Sequence, residues 1–225
     1  MTKLLERFPS LPYVAPFALF MVLLTIASQV PFDLRVYSIL RIAVLGLVLW
    51  VCSRGVIPRS APDWLMSALV GGAVFLLWVF PDLAFPAYRD HWLFSNGLTG
   101  KVEDAIPLAG QRDPLVLLLR TLRAVILVPI VEELFWRGWL PRWIANPDDF
   151  RKVPVGSFTA FTFVVTAILF ASEHGAMWDV GLAAGLVYNW WMQRTRSLGN
   201  LILSHAVTNA CLSAYVILTG RWQYW

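Results

Sequence analysis

Charged residues are scarce in this chain of 225 amino acids. Asp, Glu, Lys and Arg make up 14% of it, whereas soluble domains carry roughly 25%. Hydrophobic residues make up 58%, and the mean hydropathy is +0.64. Because so few polar side chains cannot cover a water-soluble globule, the composition excludes a secreted or cytosolic enzyme and a disordered chain. It indicates a multi-pass membrane protein.

Cysteine is nearly absent, and basic residues are not clustered. Cys52 and Cys211 lie in or beside apolar stretches and form no CxxC pair, so we interpret both as small buried apolar residues. The net charge is +4, but Lys and Arg occur singly or in pairs, and P-loop and RNA-binding signatures are missing. This pattern excludes an ordinary nucleic-acid binder and is typical of loops that face anionic lipid.

Long apolar runs define the organisation of the chain. A spanning helix needs about 20 mostly apolar residues, and runs of this kind lie at roughly 12–30, 36–52, 64–80, 115–140, 157–173, 178–193 and 198–218. They predict an all-α fold, a polytopic transmembrane helix bundle of about seven or eight helices, in a single integral-membrane domain over residues 1–225. The first run is too long for the apolar part of a signal peptide and is not followed by a clear cleavage site, so we expect a retained helix.

Loop charges and one polar insertion complete this expectation. With the N-terminus inside, the inside segments carry more Lys and Arg than the outside ones, which favours an inside N-terminus and an outside C-terminus. The connection from Pro81 to Pro114 is rich in Pro and Gly, so a continuous helix is not expected there. Its aromatic stretch, 88–94, is predicted to lie at the membrane interface.

Ionisable residues inside the fourth apolar run are the strongest functional signal. A charge near the middle of a bilayer costs about 2.5–3.5 kcal/mol, so such residues usually face the interior of the bundle and have a role. Glu133 and Arg137 are four residues apart and share a helix face, an arrangement that could serve structure alone. Glu132 points about 100° away and has no partner in the same run. Pro129, just upstream, removes a backbone donor and can kink the helix towards a cavity.

Two further apolar runs carry histidine. His174 ends the fifth run, and His205 and Asn209 share one helical face in the seventh. A carboxylate with such neighbours can activate water, while His and Asn can stabilise an oxyanion. One Glu and two His could equally bind a catalytic Zn²⁺. The spacing does not choose between these chemistries, although the lack of a serine elbow and of HExxH leaves serine and zincin-type proteolysis without support.

Three motifs in this order resemble those of the CPBP family of intramembrane proteases, which includes the type II CAAX prenyl endopeptidases and bacteriocin-processing relatives. The motifs are Glu132-Glu133-Leu-Phe-Trp-Arg137, Phe170-Ala-Ser-Glu-His174 and His205-Ala-Val-Thr-Asn209. They lie within the region 115–218. The segment Pro12-Tyr-Val-Ala-Pro-Phe-Ala-Leu-Phe is also similar to a bacterial branch labelled CAAX prenyl protease-related and associated with exosortase systems.

The resemblance implies a role for each motif residue. Glu132 would activate the attacking water, and His174 would help to orient it. His205 and Asn209 would stabilise the oxyanion of the tetrahedral intermediate. The implied activity is that of an intramembrane endopeptidase acting on a membrane-associated peptide or protein.

The same resemblance implies a supporting pair and leaves the cofactor open. Glu133 and Arg137 would pair and hold the site in shape. The family has been described both as metalloproteases and as metal-independent glutamate-type proteases, so Zn²⁺ dependence is undecided. Bacteria generally lack prenylated CAAX proteins, so the prenyl substrate is not carried over, and the expected location is the bacterial inner membrane.

Two other classes of function remain as alternatives. The intramembrane polar residues could line the path of a proton or solute transporter, although the repeated halves that transporters commonly show are not seen. A scaffold that binds membrane proteins is the other alternative, but a scaffold has no need of a complete water-activating set. The sequence therefore favours a protease.

Overall fold

The computed structural model describes residues 2–26 and 33–225, and its regular structure in these ranges is helical. Nine helices lie within this part of the chain. They are α1 (Thr2–Arg7), α2 (Leu11–Thr25), α3 (Leu34–Ser53), α4 (Trp64–Ala84), α5 (Leu108–Gln111), α6 (Pro114–Ala145), α7 (Ala160–Ser172), α8 (Trp178–Thr195) and α9 (Leu198–Thr219). The predicted all-α bundle is confirmed.

The apolar runs form helices, but these helices differ in length. Only α3, α4, α6 and α9 are long and apolar enough to cross a membrane among the residues described. Helices α2 and α7 are apolar but have 15 and 13 residues, so they are about 20–23 Å long against a hydrocarbon core of about 30 Å. The predicted end of the first run, 27–30, lies outside the described residues. Large apolar side chains such as Trp50 and Leu76 are exposed on the outer surface, as in a multi-pass membrane protein.

Local sequence signals set the ends of the helices that carry the motifs. Asp113 caps α6 by accepting hydrogen bonds from the first turn, and Pro114 occupies the first helical position, where no backbone donor is needed. Thr159 begins α7 with a capping box, and Ser197 caps α9. Gly220 ends α9 in the left-handed conformation that favours glycine.

Helix α6 contains two π-helical segments, Arg123–Leu127 and Leu134–Trp139. Each lies just before a proline of the same helix, Pro129 or Pro141. A proline has no N–H, and its ring clashes with the carbonyl four residues earlier in a regular α-helix. The wider π turn relieves this clash, so α6 continues through both prolines. The effect predicted at Pro129 therefore takes the form of a change in helical register.

Helices α4 and α9 pack closely because of a glycine. A Cβ atom added to Gly71 would lie 2.2 Å from the carbonyl oxygen of Ser204, closer than any side chain permits. The hydroxyl of Thr208 donates to the carbonyl of Gly71 at 2.8 Å across this contact. The close approach fixes the stretch of α9 that carries His205.

The polar connection is ordered and begins later than predicted. Helix α4 continues past Pro81 to Ala84, because a proline in the last turn removes only one backbone hydrogen bond. Two short 3₁₀ turns, Tyr88–Asp90 and Trp92–Phe94, follow instead of a long helix. The connection as the structure has it, residues 85–113, is called the polar loop below.

An arginine attaches the polar loop to the helices. Arg89 forms ion pairs with Asp82 of α4, at 3.0 Å, and with Asp179 of α8, at 2.5 Å. The hydroxyl of Tyr88 also donates to Asp179. Burial and the charge of Asp179 raise the pKa of Tyr88, so the phenol stays protonated and remains a donor.

Candidate active site

The four residues predicted to be catalytic line one cavity. Its volume is about 250 Å³, and it lies between α6, α8, α9 and the end of α7. The four residues are Glu132, His174, His205 and Asn209. The rings of Phe170 and Tyr188 form part of its wall. The fold thus brings the separate motifs to a single space.

Glu133 is the central anion behind this cavity. Its carboxylate is fully buried, lies 3.2 and 3.3 Å from Nη1 of Arg137, and accepts a hydrogen bond from Nδ1 of His205 at 2.7 Å. The i,i+4 pair expected from the sequence is therefore formed, and Glu133 also holds the ring of His205. The sequence spacing gave no indication of this second contact, because His205 lies on a different helix.

A clamp of neutral groups surrounds the guanidinium of Arg137. Its Nε donates to Oδ1 of Asn189 at 2.9 Å, and its Nη2 donates to the carbonyl of Gly185 at 3.3 Å. Asn189 is held in turn because its Nδ2 donates to the carbonyl of Phe163. Sequence reasoning missed Asn189, although an amide inside the apolar run 178–193 was a signal. This clamp fixes the position of the whole charged group.

His205 lies between the two adjacent carboxylates. Because Glu133 accepts the hydrogen bond at Nδ1, that nitrogen carries a proton. The other ring nitrogen, Nε2, is 3.9 Å from Oε2 of Glu132, longer than a direct hydrogen bond. Tyr188 packs against the imidazole ring with a centroid separation of 5.2 Å. Glu132 therefore lies near the same histidine that Glu133 contacts, and it does not have a different partner of its own.

His174 is fixed by its own helix end. Its Nδ1 donates to the carbonyl of Phe170 at 2.8 Å, which leaves Nε2 as the nitrogen available for other contacts. The ring packs against Trp78 and Phe170 at centroid distances of 5.2 and 4.7 Å. A Cβ atom at Gly181 would lie 3.1 Å from the ring, so this glycine makes room for the histidine.

Asn209 contacts a backbone carbonyl that the π turn leaves without a helical donor. The N–H of Val128 donates to Arg123, five residues earlier. The next position in this register is Pro129, which has no N–H to offer to Ala124. The side chain of Asn209 takes its place, donating from Nδ2 to the Ala124 carbonyl at 2.8 Å. One of the two amide protons of Asn209 is therefore already used.

Glu173, next to His174, contacts a different part of the molecule. Its Oε1 accepts a hydrogen bond from Nε1 of Trp136 at 3.0 Å. Its other oxygen is buried without a hydrogen-bond partner in the described ranges. Glu173 is not among the residues that line the cavity of Glu132.

The residues present do not fit the zinc site that the sequence left open. Among the residues described, no group of three or more His, Cys, Asp or Glu side chains is arranged to hold a metal ion. We therefore derive no chemical step through a metal.

The fold and the site define a polytopic α-helical membrane protein with a polar cavity of carboxylate, imidazole and amide groups. Residues 114–211 match the family model described as type II CAAX prenyl endopeptidase Rce1-like. Over this segment the chain is similar to the CAAX/CPBP intramembrane protease family, which supports intramembrane protease activity in general. No curated protein and no solved structure matched the chain.

The matched segment contains the three motifs but not the N-terminal region. The exosortase-associated branch, which was suggested by the segment 12–20, therefore remains a prediction.

Proposed function

We propose that the protein is an intramembrane endopeptidase that hydrolyses a peptide bond of a membrane-associated peptide or protein with water activated by Glu132. The observation that carries this proposal is the state of the Glu132 carboxylate. It lines the cavity, and it accepts no hydrogen bond within 3.5 Å from any residue in the described part of the chain. A carboxylate with free acceptor positions can bind a water and take its proton.

The geometry around Glu132 supports a role for each neighbour. A separation of 3.9 Å from Nε2 of His205 is suited to a bridging water. Nε2 of His174 can accept the second hydrogen of that water and so orient it. Glu132 takes one proton, and the resulting hydroxide attacks the carbonyl carbon of the scissile bond.

The oxyanion of the tetrahedral intermediate then needs hydrogen-bond donors. The remaining amide proton of Asn209 is one. His205 is another once its Nε2 has taken up a proton from bulk water before the substrate binds, and the carboxylate of Glu133 then balances the charge of the imidazolium. Collapse of the intermediate breaks the C–N bond, and Glu132 returns its proton to the leaving amine. Products are a carboxylate and a free amino group.

Location and orientation are also part of the proposal. The apolar helices, and the similarity of residues 114–211 to the CAAX prenyl endopeptidases, support a multi-pass membrane protein. We propose the bacterial inner membrane, with the N-terminus inside, because Lys and Arg are more frequent in the segments that this arrangement places inside.

The test is cleavage of a library of membrane-proximal peptides by purified protein, wild type beside Glu132→Gln. We expect kcat to fall by about 10²–10⁴ while the thermal midpoint stays unchanged. Glu103→Gln, an exposed residue of the polar loop, makes the same chemical change and should retain full activity. A folded Glu132→Gln protein with wild-type turnover would contradict the proposal.

The same assay separates activated water from zinc. With Glu132 as the base, EDTA or phenanthroline should leave the rate unchanged. Loss of activity with chelator and recovery on addition of Zn²⁺ would favour the metalloprotease alternative instead.

A further inference from the structure

A second cavity, of about 270 Å³, carries three arginines beside the candidate active site. Arg41 comes from α3, and Arg120 and Arg123 come from α6. Arg41 is only 6% exposed and Arg123 only 9%. No acidic side chain is among the residues that line this cavity in the described part of the chain. We call these three residues the arginine cluster.

The arginine cluster has unused donors. The Nε atoms of all three arginines are buried without a hydrogen-bond partner among the described residues, and so is Nη2 of Arg41. The ion pairs found in the described ranges involve other arginines. Among these three residues, Arg120 alone has an acceptor in the described ranges, because its Nη2 donates to the main-chain oxygen of Trp225 at 2.6 Å.

The arginine cluster lies inside the bundle and not at the ends of its helices. An ion pair between Arg35 and Asp113, at 2.6 Å, places the starts of α3 and α6 side by side. Arg41 and Arg120 lie six or seven residues beyond these starts, which is about 10 Å along each helix. Three buried like charges at this depth repel each other and are poorly hydrated. An anionic group relieves both penalties.

The two cavities share walls. Arg120 and Arg123 line the arginine cavity and also the cavity of Glu132 and Asn209. The acceptor of the Asn209 amide, Ala124, directly follows Arg123 in the chain. An anion held by the cluster is therefore next to the place where the scissile bond must lie, which favours an anionic group of the substrate over one of a lipid.

We infer that the arginine cluster binds a carboxylate of the peptide substrate, either its C-terminal group or an acidic side chain. This inference rests on the proposed function and names its substrate class. The guanidinium group presents paired N–H donors whose geometry matches the two oxygens of a carboxylate. The cluster selects peptides that carry such a group close to the cleaved bond and positions them against Glu132.

The first test is direct binding, which does not depend on cleavage. The protein carries Glu132→Gln and sits in phosphatidylcholine nanodiscs. The probes are dansyl-labelled apolar hexapeptides of one sequence, with a C-terminal carboxylate, with a C-terminal amide, or with the amide and one Asp side chain. At least one carboxylate probe should bind about tenfold or more tightly than the plain amide, as expected for charge-assisted hydrogen bonds. The carboxylate probe that binds more tightly shows whether the cluster prefers a C-terminal group or an acidic side chain.

Variants assign the preference to the cluster. Arg41→Gln and Arg123→Gln should each remove the advantage of the carboxylate probe and leave binding of the amide unchanged. Arg151→Gln, an exposed arginine outside both cavities, loses the same charge and should retain the preference. Equal binding of acid and amide probes, or a preference that survives both cluster variants, would overturn the inference.

Cleavage kinetics distinguish this inference from the proposed function. With Glu132 intact, Arg41→Gln, which lies outside the cavity of Glu132, should raise KM for the carboxylate peptide by a larger factor than KM for the amide peptide. If Glu132→Gln still cleaves, the proposed function fails while the binding result still decides the carboxylate site. Co-purified phosphatidylglycerol that is lost in Arg41→Gln, together with equal binding of the probes, would assign the cluster to lipid and overturn the inference.

Discussion

At the scale of single residues, Glu133 is the most constrained group of the site. Its buried carboxylate contacts two neighbours, the guanidinium of Arg137 on its own helix and the imidazole ring of His205 on α9. Burying a charge is costly unless it is paired and hydrogen-bonded. Removing this one carboxylate therefore leaves Arg137 uncompensated and releases the ring of His205 at the same time.

This arrangement predicts strong coupling between Glu133 and Arg137. Glu133→Gln should lower the free energy of unfolding by about 3–5 kcal/mol, because it leaves a buried cation without its partner. The double variant Glu133→Gln/Arg137→Met should be less destabilised than the sum of the single variants, since no orphaned charge remains. The free energies of unfolding of the wild type, the single variants and the double variant, measured in mixed micelles, give the coupling energy of this double-mutant cycle.

Cleavage assays of the same variants distinguish a structural role of Glu133 from a role in catalysis. The double variant should recover stability but not cleavage, because a neutral amide in place of the Glu133 carboxylate cannot balance the positive charge of the His205 imidazolium. Strictly additive free energies would show that the two groups do not form a coupled pair.

At the scale of helices, two close contacts decide where the motifs meet. The π turn before Pro129 frees the Ala124 carbonyl for Asn209, and so ties α6 to α9. On the other side of α9, Gly71 permits the approach of α4 to the Ser204 carbonyl. The stretch of α9 that carries His205 and Asn209 lies between these two contacts.

Adjacent glycines of α4 allow a matched test of this packing. Gly71→Ala should destabilise the protein by about 1–3 kcal/mol, because the new methyl group meets a backbone oxygen that cannot move aside easily. Gly72→Ala adds the same methyl group where no atom lies within 4 Å, so it should be neutral or slightly stabilising. Thermal unfolding of both variants measures the difference. Equal midpoints for the two would contradict the close contact.

At the scale of the whole molecule, the polar loop is held to the bundle by buried polar contacts. Arg89 pairs with carboxylates from α4 and α8, and the hydroxyl of Tyr224 donates to the same Asp82. Ala105 and Ile106, near the end of the loop, line the arginine cavity. The loop therefore forms part of the wall beside the site.

Arg89 is predicted to be the main attachment of this loop. Arg89→Gln leaves Asp82 and Asp179 without their cation, so the loop should open more often. Chymotrypsin should then cut within residues 85–113 several times faster than in the wild type, as followed by mass spectrometry. Arg112→Gln, an exposed arginine of the same loop, is the control and should be cut at the wild-type rate. Unchanged cleavage of the Arg89 variant would show that other contacts hold the loop.

The sequence by itself determined the features that depend on short spacing. Apolar runs of helical length predicted the all-α membrane bundle, because an α-helix satisfies its backbone hydrogen bonds within one segment and so can lie in lipid. The four-residue spacing of Glu133 and Arg137 predicted their pair, since 3.6 residues per turn place them on one face. The three motifs pointed to the family in the same way, through residues close together in the chain.

Only the tertiary structure decided which helices meet and how. Three features of the site each involve residues of different helices. They are the hydrogen bond between Glu133 and His205, the hydrogen bond between Arg137 and Asn189, and the cavity that Arg41 and Arg120 line together. Sequence periodicity fixes the face of a side chain but not the neighbour that it meets, and that neighbour depends on close packing such as the contact at Gly71. The same holds for Glu132, His174 and His205, which come from different parts of the chain: only the packing of the helices brings them to one cavity, because spacing within a single apolar run cannot reveal contacts between runs.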